Sequence, residues 1–137
     1  MSITQALQHL SGKRVTSATA AEHTFHLGFD GGAVLTIECL WRLVRDGVVV
    51  LASRDHGQQF GLQAPVDARG QFEAWVAHLV VSTATVSTGG PTDLTIVFTT
   101  GLRLDCIVDS SGYESWSLSC PTPTFTVFGG GQISRAS

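Results

Sequence analysis

Strict alternation of apolar and polar residues on either side of an Asp-Gly turn is what most limits the fold of this 137-residue chain. In Phe25-His26-Leu27-Gly28-Phe29 every second residue is apolar. Asp30-Gly31-Gly32 follows, and Ala33, Leu35 and Ile37 then resume the alternation. A period of two sends one set of side chains into a core and the other into water, the pattern of a half-buried hairpin. The Asp-Gly step tolerates the positive φ that a tight turn needs. A second one, Asp46-Gly47, separates Leu40–Arg45 from Val48–Leu51 and predicts another hairpin. Val48-Val49-Val50-Leu51 is apolar on both parities, so that strand is expected to be covered on both faces.

The pattern returns later in the chain. Leu94–Phe98, the turn Thr99-Thr100-Gly101 and Leu102–Cys106 match the first hairpin at a constant offset of 69 residues, with Phe29 on Phe98 and Gly32 on Gly101. Val15-Thr16-Ser17-Ala18 matches Val81-Ser82-Thr83-Ala84 at an offset of 66, and extra loop around Gly89-Gly90-Pro91 accounts for the difference. Ile3, Ala6, Leu7 and Leu10 lie at helical spacing before Ser11-Gly12, and Gln71–Ala77 is a second short helix. The chain therefore reads as mainly β with a minor helical part. It has one or two short helices and eight or nine strands, arranged as two tandem hairpin-centred units. These span about residues 3–52 and 71–128, with a polar connector over 53–70. The units are expected to pack as a sandwich or an incomplete barrel. Residues 1–128 form one domain, and 129–137, rich in glycine, is expected to fray.

Composition narrows the class. Hydrophobic residues make up 43% and charged residues 14%, too apolar a balance for disorder. Mean hydropathy is +0.22, yet a charged residue or histidine interrupts every apolar run before membrane-spanning length. No basic stretch precedes an apolar one near Met1, so no signal peptide is expected. A formal charge of −3 argues against binding a phosphate backbone. A cytoplasmic protein without membrane or nucleic-acid partners is the expectation. Cys39, Cys106 and Cys120 are odd in number and form no Cys-x-x-Cys pair, which is no disulfide framework. Cys39 and Cys106 sit in apolar runs as small hydrophobes.

Catalytic signals are sparse. His23 and His26 are three apart, which on a strand means opposite faces, and His9, His56 and His78 are isolated. No metal site is expected from them. Arg54-Asp55-His56 is the densest polar triplet, but neighbours on an extended chain point apart, so contiguity makes no triad. There is no Gly-x-Ser-x-Gly elbow and no phosphate-cradling glycine loop. The chain is expected to be no enzyme and to hold no cofactor. The alternative is a small enzyme or small-molecule binder with a cleft between the two halves, where Arg54, Asp55 and His56 are the first candidates.

The most distinctive segment is Asp109–Leu118, a turn at Gly112 feeding a short strand. Glu114, Trp116 and Leu118 share a parity. If Trp116 faces the core, Glu114 needs a partner, and Arg42, Arg45 or Arg103 can supply it. As a recognition patch, the candidates are Tyr113, Glu114 and Trp116, since tyrosine and tryptophan favour interfaces.

Leu10-Ser11-Gly12-Lys13-Arg14-Val15, the hairpin at Phe29–Gly32, the hairpin at Gly101–Leu104 and Gly112-Tyr113-Glu114-Ser115-Trp116 occur in an order that resembles a family of small bacterial proteins, common in actinobacteria and known as a domain of unknown function. The resemblance covers about residues 8–128. The Tyr-Glu-x-Trp strand is also similar to strands of small β-rich immunity proteins. The family implies no reaction, cofactor or catalytic residue. The chain departs from its own symmetry at Ala77-His78-Leu79-Val80, where a second Gly-Lys-Arg-Val element is due. The resulting expectation is a non-enzymatic protein-binding or immunity-like accessory factor. Open sheet edges add a further one: a homodimer with the strand Phe125–Phe128 at its interface.

Overall fold

Eleven strands and two short helices form among residues 1–87 and 90–137, which the computed structural model of the chain describes. Helix α1 (Ile3–Gln8) starts at Ser2, whose hydroxyl accepts the Gln5 amide while the Gln5 side chain accepts the Ser2 amide. This reciprocal cap satisfies two donors that a short helix leaves open. Strands β1 (Val15–Ala21), β2 (Thr24–Phe29) and β3 (Val34–Ile37) form a meander, and β4 (Leu40–Arg45) and β5 (Val48–Ala52) form a hairpin. A 3-10 turn at Ser53–Asp55 leads to helix α2 (Ala68–Val76). Strands β6 (Val81–Val86), β7 (Leu94–Phe98) and β8 (Arg103–Ile107) form a second meander. β9 (Glu114–Ser119), β10 (Thr124–Phe128) and β11 (Ile133–Ala136) follow.

The strands divide into a six-stranded sheet, β1-β2-β3-β9-β10-β11, and a five-stranded sheet, β5-β4-β8-β7-β6. Each half leaves its meander in one sheet and sends the next hairpin to the other. The sheets pack as a sandwich and do not close into a barrel. Alternation explains the packing: β2 buries Phe25, Leu27 and Phe29, and β7 buries Leu94, Ile96 and Phe98. Each such side chain contributes about 1.5–3 kcal/mol relative to exposure.

Residues matched by the sequence offsets occupy matched places. Phe25 faces Ile37 and Leu27 faces Leu35, while Leu94 faces Cys106 and Ile96 faces Leu104. β1 is bulged between Val15 and Ser17, and β6 between Val81 and Thr83. Arg14 and Val80 form an antiparallel bridge with each other. Around it the Gly12 amide donates to the Val81 carbonyl and the Val81 amide to the Lys13 carbonyl, both at 2.8 Å. The helices also cross over: α1 packs on β6 and α2 on β1.

Several expectations change. The strands number eleven rather than eight or nine. Val48–Leu51 is not covered on both faces. It lies in the edge strand β5, with Val48 60% and Val49 49% exposed. α2 begins at Ala68 because the Asp67 carboxylate caps the Gly70 amide, so the connector is shorter than expected. Gly89 of the expected extra loop lies outside the described residues. Phe125–Phe128 is not an edge, because β11 pairs along its outer side. The tail is tied down by backbone rather than by side chains: the Gly131 amide donates to the Phe128 carbonyl and the Phe128 amide to the Gln132 carbonyl. The same two bonds close the turns at Phe29–Gly32 and Phe98–Gly101. A third Phe-x-x-Gly turn, read as mere flexibility, thus makes a third hairpin.

Candidate functional site

Both halves change sheets at one end of the sandwich. Glu38-Cys39 joins β3 to β4, and residues 108–113 join β8 to β9. The Glu38 amide donates to the Ser115 carbonyl at 2.9 Å and ties the two crossovers together. The two-residue turn Glu22-His23 between β1 and β2 and the 3-10 turn at Ser53–Asp55 flank them. Between these elements lies a cleft of about 460 Å³, lined by Glu22, His23, Glu38, Arg54, His56, Arg69 and Asp109 among others. A larger groove of about 950 Å³ shares His23, Glu38 and Asp109 with it and runs on to Tyr113, Glu114 and Phe128.

The cleft is built on a firm base. Phe25, which lines it, packs edge-on against Trp41 and Phe72, with ring centroids 5.0 and 5.1 Å away. Such edge-to-face contacts add to area burial. Arg69 reaches from α2 to donate to the Glu22 carbonyl at 2.9 Å. Glu22 holds a left-handed backbone, φ 46°, as the first residue of its tight turn. His56 Nδ1 accepts the Ala68 amide at 3.2 Å, so a neutral His56 ring carries its proton on Nε2.

The sequence candidates separate clearly. Arg54 and His56 line the cleft, but Asp55 turns away and caps the Ala52 amide through Oδ2 at 2.9 Å. The fold therefore does not bring the three side chains of the triplet together in the cleft. Tyr113 is 82% exposed and Glu114 is exposed beside it. Trp116 is a core residue, 1% exposed, and its Nε1 donates to the Thr92 carbonyl at 2.9 Å. Glu114 does not need the arginines considered for it. Arg42 and Arg103 both bind Asp105, and Arg45 stacks over Trp75.

Sequence reading missed Glu22, Glu38 and Arg69 as site residues and took His23 only as a failed metal ligand. They come from a turn, a crossover and a helix, and no local pattern links them. Together the cleft and groove gather four carboxylates, Glu22, Glu38, Asp109 and Glu114, against two guanidinium groups, Arg54 and Arg69. Among the described residues, no group of three or more His, Cys, Asp or Glu side chains is placed to hold a metal. Cys39 lines the cleft, and its hydrogen bond to Cys106 together with burial holds the Cys106 thiol well above its ordinary range. Burial also raises the Cys120 thiol. A raised thiol pKa lowers the thiolate fraction at neutral pH and with it nucleophilic reactivity.

A mainly β sandwich with a polar cleft at its sheet crossovers is the class that these features define. The chain belongs to a family of unknown function, DUF6188, whose model matches residues 6–135. No curated protein and no solved structure matches it. Among the described residues no helix is long and apolar enough to cross a membrane.

Proposed function

We propose that this protein is a non-enzymatic binding module, an immunity-like or accessory factor of the bacterial cytoplasm. In this reading it grips a partner protein with the crossover end of the sandwich. The observation that carries this reading is Tyr113. It is 82% exposed, stands at the rim of the groove, and has Glu38, Asp109 and Glu114 around it. An aromatic anchor is the kind of residue that dominates binding energy once a partner covers it. The surrounding carboxylates select a partner with a basic surface and speed its approach. The three free cysteines suit a reducing compartment. The similarity of the Tyr-Glu-x-Trp strand to immunity-protein strands points the same way.

The same reading takes the two halves as an internal repeat. Its support is the exchange of meander and hairpin between sheets and the Arg14–Val80 bridge between matched residues. A twofold axis brings equivalent residues into antiparallel register in just this way.

Affinity capture from a native cell lysate tests the binding role. The intact chain is expected to retain a basic partner that Tyr113→Ala loses. An unchanged partner list with Tyr113→Ala removes this segment from the account. A second reading, a small-molecule binder, is favoured by the cleft itself, which holds Arg54, His56 and Arg69 within about 460 Å³. A metabolite thermal-shift screen tests it, because a ligand specific for the folded state raises the melting temperature.

A further inference from the structure

The cleft at the crossover end draws its donors and its carboxylates from different segments of the chain. Ser53, Arg54 and His56 come from the 3-10 turn after β5 and the residue that ends it, and Arg69 from α2. These groups meet the cleft as donors. Ser53 Oγ accepts the Trp41 amide at 3.1 Å and keeps its hydroxyl proton to give. His56 Nδ1 is taken by the Ala68 amide, so Nε2 carries the remaining ring donor. A guanidinium has donors and no acceptor. The carboxylates come from elsewhere: Glu22 from the turn between β1 and β2, Glu38 and Asp109 from the two sheet crossovers. An ionised carboxylate only accepts. The ion pairs among the described residues are those of Asp105 with Arg42 and Arg103. The carboxylates and guanidinium groups of the cleft therefore share one cavity without neutralising one another.

We propose that the cleft binds a small zwitterion, an amino acid or dipeptide with a free carboxylate and a free ammonium group. The proposal rests on the reading of the cleft as a small-molecule site and names the ligand class. The ligand's carboxylate takes the donors of Ser53, Arg54, His56 and Arg69, and its ammonium group is accepted by Glu38 and Asp109. Unpaired charges of both signs select this class. A purely anionic ligand would bring its charge beside three carboxylates, and a purely cationic one beside two guanidinium groups. A zwitterion meets each set with the opposite charge, and bonds between ionised groups are the stronger kind. Phe25 and Leu40 also line the cleft, and Leu40 is 42% exposed, so an apolar side chain on the ligand has a surface to pack on. The volume of about 460 Å³ falls within the range usual for small-molecule sites, about 300–1,000 Å³.

Titration calorimetry of the full chain with leucine and with leucyl-leucine tests the proposal. Acetyl-leucine, which lacks the ammonium group, and leucinamide, which lacks the carboxylate, are titrated beside them. The expected result is that a zwitterion binds and that both blocked forms bind at least about tenfold more weakly. Arg54→Ala and Glu38→Gln should each weaken the zwitterion by about tenfold. Arg42→Ala, which removes an arginine outside the cleft, should leave its binding unchanged. Arg54→Ala should also narrow the gap between leucine and leucinamide, and Glu38→Gln the gap between leucine and acetyl-leucine, a pattern that a general loss of folding does not give. A blocked form that binds as well as leucine overturns the proposal. So does zwitterion binding that survives both substitutions, or the failure of both zwitterions to bind. In each of these cases a hit of another class in the metabolite screen keeps the cleft as a small-molecule site, whereas a screen without hits ends that reading as well.

Discussion

His78 holds the same left-handed backbone as Gly12, φ 66° against 81°, at the matched position of the other half. Each stands where a helix has ended and its chain turns toward the Arg14–Val80 bridge. Glycine adopts this conformation freely, whereas an L side chain meets its own backbone there. A Cβ at Gly12 would meet nothing within 4 Å, so backbone conformation alone decides the outcome of a substitution. His78→Gly is therefore expected to stabilise the fold by about 0.5–1 kcal/mol, and Gly12→Ala to destabilise it by about 1 kcal/mol. Urea denaturation measures both.

Asp105 offers a test of cooperativity. Its side chain is 11% exposed, and it accepts Arg42 Nε and Arg103 Nε, each at 2.9 Å. Arg103 also donates through Nη2 at 3.1 Å, and the arginines are 44% and 40% exposed, so each pairing is screened by water. Arg42→Ala and Arg103→Ala are each expected to cost under about 1 kcal/mol. The double substitution leaves a largely buried carboxylate without a partner and should cost more than the two together. Strict additivity in a double-mutant cycle would contradict this arrangement.

The two aromatic residues of the Tyr113–Trp116 segment should behave oppositely. Trp116→Phe removes the donor to the buried Thr92 carbonyl, a loss of about 1–3 kcal/mol. Tyr113→Ala should change stability by no more than about 0.5 kcal/mol, as expected of a surface side chain. Thermal unfolding of both variants checks the assignment of one to the core and the other to recognition.

Alkaline pH should weaken the fold through Cys106. Its thiol pKa is raised in the folded chain by the Cys39 hydrogen bond and by burial. The unfolded chain therefore loses that proton first. The contribution of Cys106 to stability is complete below the ordinary thiol pKa of about 8.5 and declines as pH rises above it. Melting temperatures of the intact chain and Cys106→Ala, compared at neutral and alkaline pH, should show a smaller alkaline drop in the variant.

Much of the fold was legible because it rests on local alternation. The hairpins at Phe29–Gly32 and Phe98–Gly101 announce themselves by period and turn glycine, and the offset between them anticipates the matched registers of β2–β3 and β7–β8. Edge position was not legible, since Val48–Leu51 reads as a covered strand until sheet order is known. β11 was hidden because three glycines look like slack, whereas the turn that they make is held by backbone hydrogen bonds. His78 looked like a break in symmetry because φ is not written in residue type. The site was legible only in pieces. Tyr113 and Arg54 stand out in sequence, but Glu22, Glu38 and Arg69 join them only once a turn, a sheet crossover and a helix are folded together.

Hydrogen exchange on the complex with a captured partner tests most directly whether the crossover end is the binding surface. The account predicts slowed exchange over residues 109–114 and at Glu22-His23, lost together with the partner in Tyr113→Ala. Protection confined to other surfaces, with equal partner recovery by Tyr113→Ala, would contradict it.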